Sequence, residues 1–232
     1  MTSSFTPLLI NDIRLQWRNG IYFAYAFVLA AYISVLVFLG QYLPSWVVGL
    51  IIYTDPAVLG FFFLGALMML ENADGTRTAL ATTPMSAADY FWAKTISLTA
   101  ISLLAAIILG LFIHSHINWL MYLPVILLVS LSFTAISFPI ALHFKTATSY
   151  LMGAAAILTP IILPMFIALL DPFPQWTMIF PTTAQFRLLL ISLGISQAGI
   201  LETTILWTIN ILTGGLCIWY GNKSLKAEFG QK

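Results

Sequence analysis

Long uncharged apolar runs alternate with short polar breaks along this 232-residue chain. The runs cover 19–54, 56–70, 95–144, 146–170 and 203–222. A helix crosses a bilayer with roughly 20 apolar residues. The run 95–144 is long enough for two crossings, and its polar stretch HSHINW, residues 114–119, supplies the turn between them. The pattern predicts six spans, near 20–41, 55–71, 91–113, 119–142, 149–170 and 203–221.

Three segments fall outside those spans. Residues 6–19, TPLLINDIRLQWRN, carry Leu9, Ile13 and Trp17 at intervals of four, with Asp12, Arg14 and Arg18 mostly on other faces. This is the pattern of an amphipathic helix lying on a membrane surface, and it makes 1–19 a leading helix for span 1. The second segment is LPSWVVGLIIYT, residues 43–54. It precedes Asp55-Pro56, where Asp is a good N-cap and Pro suits the first helical position. Span 2 is therefore expected to start at Asp55, with 43–54 at the outer interface. The rival reading starts the helix at Trp46 and turns Asp55 into an intramembrane acid, a functional site by default. The third segment, 171–202, is too apolar for a solvated loop and contains Pro172, Pro174 and Pro181. Within it FPTTAQFRLLLISL reads as a short helix starting at Pro181 and packed on the spans or dipping into the outer leaflet.

Composition agrees with lipid as the solvent. The chain is 60% hydrophobic and 7% charged, whereas soluble domains run near a quarter charged. A net charge of +1 carries no sign of nucleic-acid binding. Cys217 is the only cysteine, which excludes an intrachain disulfide. Residues 1–19 lack the apolar core of a signal peptide, so no cleaved leader is expected. With the N-terminus inside, the inner side carries Arg14, Arg18, Arg77, Lys94, Lys145, Lys223, Lys226 and Lys232, and the outer side only Arg187. The bias of Lys and Arg toward the cytoplasm then predicts a multi-pass inner (plasma) membrane protein with both termini cytoplasmic. The expected fold is one all-α integral membrane domain over 1–232: six spans, an N-terminal amphipathic helix, and an outer helical insertion before the last span.

The charges are not spread evenly. Five of them, Glu71, Asp74, Arg77, Asp89 and Lys94, fall between 71 and 95. On this topology 72–90 is the largest inner loop. Asp74 suits the cap of a short helix over 76–81, and Pro84 stops it. Ser86 with Asp89 then reads as a capping box opening span 3. Two ordered helix starts with a corner between them make a docking surface, with Thr76, Arg77, Leu80, Thr82 and Thr83 exposed; a plain polar turn satisfying helix ends fits the spacing as well.

The order of these features resembles the permease subunits of type-2 ABC transporters, the ABC-2 family. There an acidic residue closes the second span, a glycine and small polar residues follow, then a Thr-Pro corner, then an aromatic and a lysine at the start of the third span. The matching residues here are Glu71, Gly75-Thr76, Thr83-Pro84, Tyr90 and Lys94. The resemblance extends over the leading helix, the six spans, Asp-Pro before span 2 and the outer insertion. It departs between spans 4 and 5, where the inner loop is only HFKTAT, 143–148. The scarcity of charges along the spans argues against a highly charged cargo and permits an amphipathic drug, lipid or peptide. The resemblance implies an exporter driven by a separate ABC ATPase. It places ATPase docking on Glu71, Asp74, Gly75, Thr76, Arg77, Leu80, Thr83 and Pro84, with Arg14 and Arg18 of the leading helix. It also implies a second permease copy or a sister permease. No cofactor is expected on this chain, which lacks a G-x-x-x-x-G-K-[ST] loop; GLCIWYGNKS at 215–224 has the wrong spacing. ATP and Mg are expected in the partner.

Other polar residues are weaker candidates. His114 and His116 flank an outer turn, with no carboxylate or cysteine nearby in sequence to complete a metal site. His143 with Lys145 suits lipid headgroups. Asn210, mid-span in span 6, is expected to bond between helices or to contact cargo. Arg187 is expected to pair with Glu202 or Asp171, structurally or as a gate. Asp55, Asn210, Arg187 and Glu202 are thus the candidate pathway residues. No Ser/His/Asp, paired-carboxylate or H-E-x-x-H arrangement supports an enzyme. The alternatives to an ABC permease are an ion- or proton-coupled transporter, for which only Asp55 offers an acid, and a non-transporting assembly factor.

Overall fold

The computed structural model describes residues 5–73, 86–113 and 116–230. Among the described residues a leading helix, Phe5–Arg18, precedes six helices long and apolar enough to cross a membrane. Spans 1 to 6 are Ile21–Leu39, Ser45–Asn72, Ala87–Leu111, Trp119–Ala141, Ala147–Leu169 and Ile200–Glu228. The described residues contain no strand. Between spans 5 and 6 a short 3-10 turn, Gln175–Ile179, leads to a helix at Pro181–Ser192.

The spans alternate in direction. Phe229, just past span 6, lies 5.9 Å from the Tyr90 ring at the start of span 3. At the other end the Asn118 amide, just before span 4, donates to the Ser192 carbonyl at 2.8 Å. The bundle therefore has a terminal end, where the leading helix enters and span 6 leaves, and a far end, which carries the insertion. Spans 2, 3 and 4 form the buried centre, and spans 1, 5 and 6 are mostly exposed around it.

Several helix starts follow the expected chemistry. The Ser86 hydroxyl accepts from the Asp89 amide at 3.1 Å and opens span 3. Asn118 caps span 4 by accepting from the Met121 amide at 3.3 Å, and Thr146 caps span 5 through Ser149. Pro181 begins the insertion helix. That helix is buried at Thr182–Phe186 and again at Leu188–Leu190, so it packs as part of the core. The Tyr53 hydroxyl in span 2 donates to Gln185 Oε1 on it at 2.9 Å.

Span 2 departs from expectation. It starts at Ser45, not Asp55, and runs straight through Asp55-Pro56. A chain that left the helix at Thr54 would expose unpaired backbone groups to lipid, at several kcal/mol each. Proline removes one donor and crowds the preceding turn. The helix nevertheless continues through Pro56. The Thr54 hydroxyl donates to the Leu50 carbonyl at 2.9 Å, and Leu59–Phe63 widens into a π turn. The Tyr150 hydroxyl of span 5 donates to the Phe61 carbonyl inside that turn. The rival reading of Asp55, as an acid within a span, is the correct one.

Small residues let the central helices approach closely, the usual basis of helix association in lipid. A Cβ on Gly60 of span 2 would stand 2.6 Å from Thr134 Oγ1 and 3.0 Å from the Thr134 amide nitrogen. On span 6, a Cβ on Gly221 would stand 2.4 Å from the Ala135 carbonyl oxygen of span 4. Backbone cannot move aside cheaply, so Gly221→Ala is expected to lower stability by roughly 1–3 kcal/mol. A Cβ on Gly215 of the same helix meets nothing within 4 Å, so Gly215→Ala is expected within about 0.5 kcal/mol of wild type. Equilibrium unfolding of the two variants in the same detergent checks the contrast; equal losses would contradict the packing of spans 4 and 6.

Candidate functional site

Lys94 sits two turns into span 3 and is almost fully buried. An ammonium in such a place must be compensated. Its Nζ is 2.7 Å from Asp12 Oδ1 on the leading helix and 2.7 Å from Glu71 Oε1 at the end of span 2. The Tyr90 hydroxyl, one turn earlier on span 3, donates to Glu71 Oε2 at 2.6 Å. The remaining Asp12 oxygen accepts from Gln16 Nε2 at 2.7 Å and from the Ser97 hydroxyl. Gln16 Nε2 also donates to Ser97 Oγ at 2.9 Å. Three chain segments therefore meet in one buried cluster at the terminal end.

Helical periodicity explains the convergence. Tyr90, Lys94 and Ser97 are spaced i, i+4, i+7 and share one stripe of span 3. Asp12 and Gln16 are spaced i, i+4 on the leading helix. That stripe is turned inward, while Ile10, Ile13 and Trp17 are exposed on another side. The helix thus presents apolar residues outward and a polar pair to the protein. The inward Asp12 was not anticipated; the i, i+4 pairing of Asp12 with Gln16 was the readable signal.

Glu71, expected on the docking surface, is instead buried, because its carboxylate answers Lys94 and Tyr90. Arg14 and Arg18 are exposed on the leading helix at the same end. The other docking candidates, Asp74, Gly75, Thr76, Arg77, Leu80, Thr83 and Pro84, lie outside the described residues.

The pathway candidates are scattered. Arg187 Nε pairs with Glu202 Oε1 at 3.1 Å, and its Nη2 donates to the Gln197 carbonyl at 3.1 Å. Its guanidinium also lies 4.6 Å from the Phe173 ring centre. The ion pair closes the insertion onto the first turn of span 6, so Glu202 and not Asp171 is the partner found. Asn210 is buried, but its Nδ2 donates to the Leu206 carbonyl of its own helix at 2.9 Å. Among the described residues the expected interhelical bond is absent, and its Oδ1 has no partner. Asp55 is buried and accepts from the Tyr25 hydroxyl of span 1 at 2.6 Å. Among the described residues no basic side chain pairs with it, and no three His, Cys, Asp or Glu side chains gather as metal ligands would.

The cluster makes a sharp prediction. Lys94→Met leaves Asp12 and Glu71 as uncompensated buried carboxylates, a loss of roughly 3–5 kcal/mol. Hydrogen–deuterium exchange of the purified chain is expected to rise across Phe5–Arg18 while Thr99–Gly110 stays protected. Unchanged exchange in the leading helix would show that Lys94 does not hold it.

The chain is similar to known proteins over nearly its full length. Two relatives from Mycobacterium tuberculosis, in strains CDC 1551 / Oshkosh and ATCC 25618 / H37Rv, are each named a fluoroquinolones export permease protein. Each is 25% identical over 235 residues, covering 97% of this chain and 94% of the relative. Residues 3–218 match the fluoroquinolones export permease protein family, and the chain belongs to that family.

Proposed function

We propose that this chain is the permease subunit of an ATP-driven ABC-2-type exporter in the plasma membrane, with both termini cytoplasmic. A separate ABC ATPase supplies ATP and Mg, and a second copy or sister permease completes the pathway. The cargo is an amphipathic drug of the kind named for the mycobacterial relatives.

One observation carries the reading. The two stems of the loop between spans 2 and 3 are joined through Glu71, which is bonded to both Tyr90 and Lys94. Lys94 then ties both stems to the leading helix through Asp12. Force applied to the loop, or to the leading helix with its exposed Arg14 and Arg18, therefore enters spans 2 and 3 together. Those spans belong to the buried centre of the bundle. In this reading Asp74, Gly75, Thr76, Arg77, Leu80, Thr83 and Pro84 meet the ATPase, and Glu71 positions the loop from behind.

A second reading is favoured by Asp55. An acid inside a span, with no basic partner among the described residues, suits a proton-coupled transporter. The ATPase reading explains the clamped loop stems, which proton coupling leaves without a purpose.

Pull-down of a tagged chain in mild detergent from its native host tests the proposal. A stoichiometric partner that hydrolyses ATP is expected in the eluate. Arg77→Glu is expected to lose that partner while the chain still inserts in the membrane. An eluate without ATPase activity would sink the exporter reading, and normal co-purification of Arg77→Glu would move the docking contact elsewhere.

A further inference from the structure

At the terminal end an apolar groove of about 300 Å³ opens between spans 4, 5 and 6. Span 4 supplies Ile136, Pro139, Ile140 and His143, spaced i, i+3, i+4, i+7 along one face. Ile157 of span 5 and Tyr220 of span 6 form the walls, and both are exposed. Spans 5 and 6 are mostly exposed, so in a membrane the groove faces acyl chains. From Ile136 to His143 it runs two helical turns, roughly 10 Å.

Polarity enters the groove at one end only. His143 stands there, its Nδ1 2.7 Å from the Pro139 carbonyl oxygen. A carbonyl only accepts, so Nδ1 carries the proton of that bond, and Nε2 is the nitrogen left for another partner. Phe144 lines the same end and stands edge-on to Tyr150 of span 5 at 5.7 Å. Lys145 follows it directly and is exposed. On span 6, Lys223 lies one turn past Tyr220, with its Nζ 4.8 Å from the centre of the Trp219 ring. Trp and Tyr near a span end mark the headgroup level of a bilayer. The short loop 143–148 contains no acid, and span 6 has none between Thr203 and Ala227. Glu228, the next acid, is five residues past Lys223.

We infer that this groove binds one anionic phospholipid, with an acyl chain along Ile136, Ile140 and Ile157 and the phosphate on His143, Lys145 and Lys223. Basic groups between spans at the headgroup level attract such lipids. A phospholipid supplies both halves of the match, an apolar chain and an anion about one helical turn beyond it. A second copy would bring its own terminal end, where Asp12 and Glu71 are already committed to Lys94. The site stands whether or not the exporter reading does.

Native mass spectrometry of the purified full chain tests the site, with phosphatidylglycerol and phosphatidylcholine of identical acyl chains offered together. Wild type is expected to retain phosphatidylglycerol preferentially. Lys145→Gln and Lys223→Gln are each expected to lower that retention about fivefold, the worth of one lysine beside an anionic headgroup, and to leave phosphatidylcholine unchanged. Ile140→Trp, which fills the groove, is expected to lower both. Equal retention of the two lipids by wild type, or an unchanged preference in the lysine variants, would overturn the proposal. So would displacement of the lipid by excess glycerol phosphate, which would make this a bare anion site. If Ile140→Trp instead splits a dimer and leaves lipid retention unchanged, the groove seats a second copy and the proposal fails. Should the variants not fold, crosslinking of wild type with phosphatidylglycerol carrying a diazirine in its acyl chain decides. Label on residues 136–157 or around Tyr220 supports the site, and label confined elsewhere refutes it.

Discussion

Lys94 stands between two carboxylates that come from two other helices, and the terminal end of the bundle is organised by that triad. The charge is buried, so it tolerates neither removal nor displacement without leaving Asp12 or Glu71 uncompensated. Tyr90, Gln16 and Ser97 occupy the remaining carboxylate oxygens. The leading helix, the end of span 2 and the start of span 3 are thereby held in one register. Apolar packing in lipid offers no comparable direction, because acyl chains are as apolar as leucine. A directional ion cluster is what fixes the helix ends on either side of the loop between spans 2 and 3.

Away from that cluster the fold treats polarity differently. Hydroxyls in the central spans are used for neutral contacts between helices. Tyr122 donates to the Ala106 carbonyl at 2.9 Å, and Ser130 reaches Ser102 at 3.2 Å. Gly60 and Gly221 bring backbones together where a methyl group would not fit. These contacts belong to spans 2, 3, 4 and one edge of span 6. Span 1 is joined to this centre through Tyr25 and Asp55, the one intramembrane carboxylate without a basic partner among the described residues. The described residues thus form a buried centre with a mostly exposed first span.

Much of this was legible in the sequence where a single physical rule decides. Uncharged runs of membrane length located all six spans, Pro181 marked the insertion helix, and Ser86 marked the start of span 3. Arg187 was readable as a structural pair because the expected topology leaves no other cation on its side of the membrane. The failures share a cause. Asp55-Pro56 carries a strong local signal for a helix start, but the cost of unpaired backbone in lipid overrides it. Asp12 looks like a surface charge until Lys94, distant in sequence, is brought beside it. Asn210 invited a partner on another helix, and its amide found the Leu206 carbonyl instead. Each depends on tertiary proximity that periodicity within one segment does not encode.

Energy source separates the account from its rival most directly. Inside-out vesicles from the native host, carrying the complex, would be loaded with a fluoroquinolone under two regimes: ATP and Mg with the proton gradient collapsed, and an imposed proton gradient with no nucleotide. The account predicts uptake in the first and none in the second. Uptake driven by the gradient alone would contradict it and make Asp55 a proton carrier.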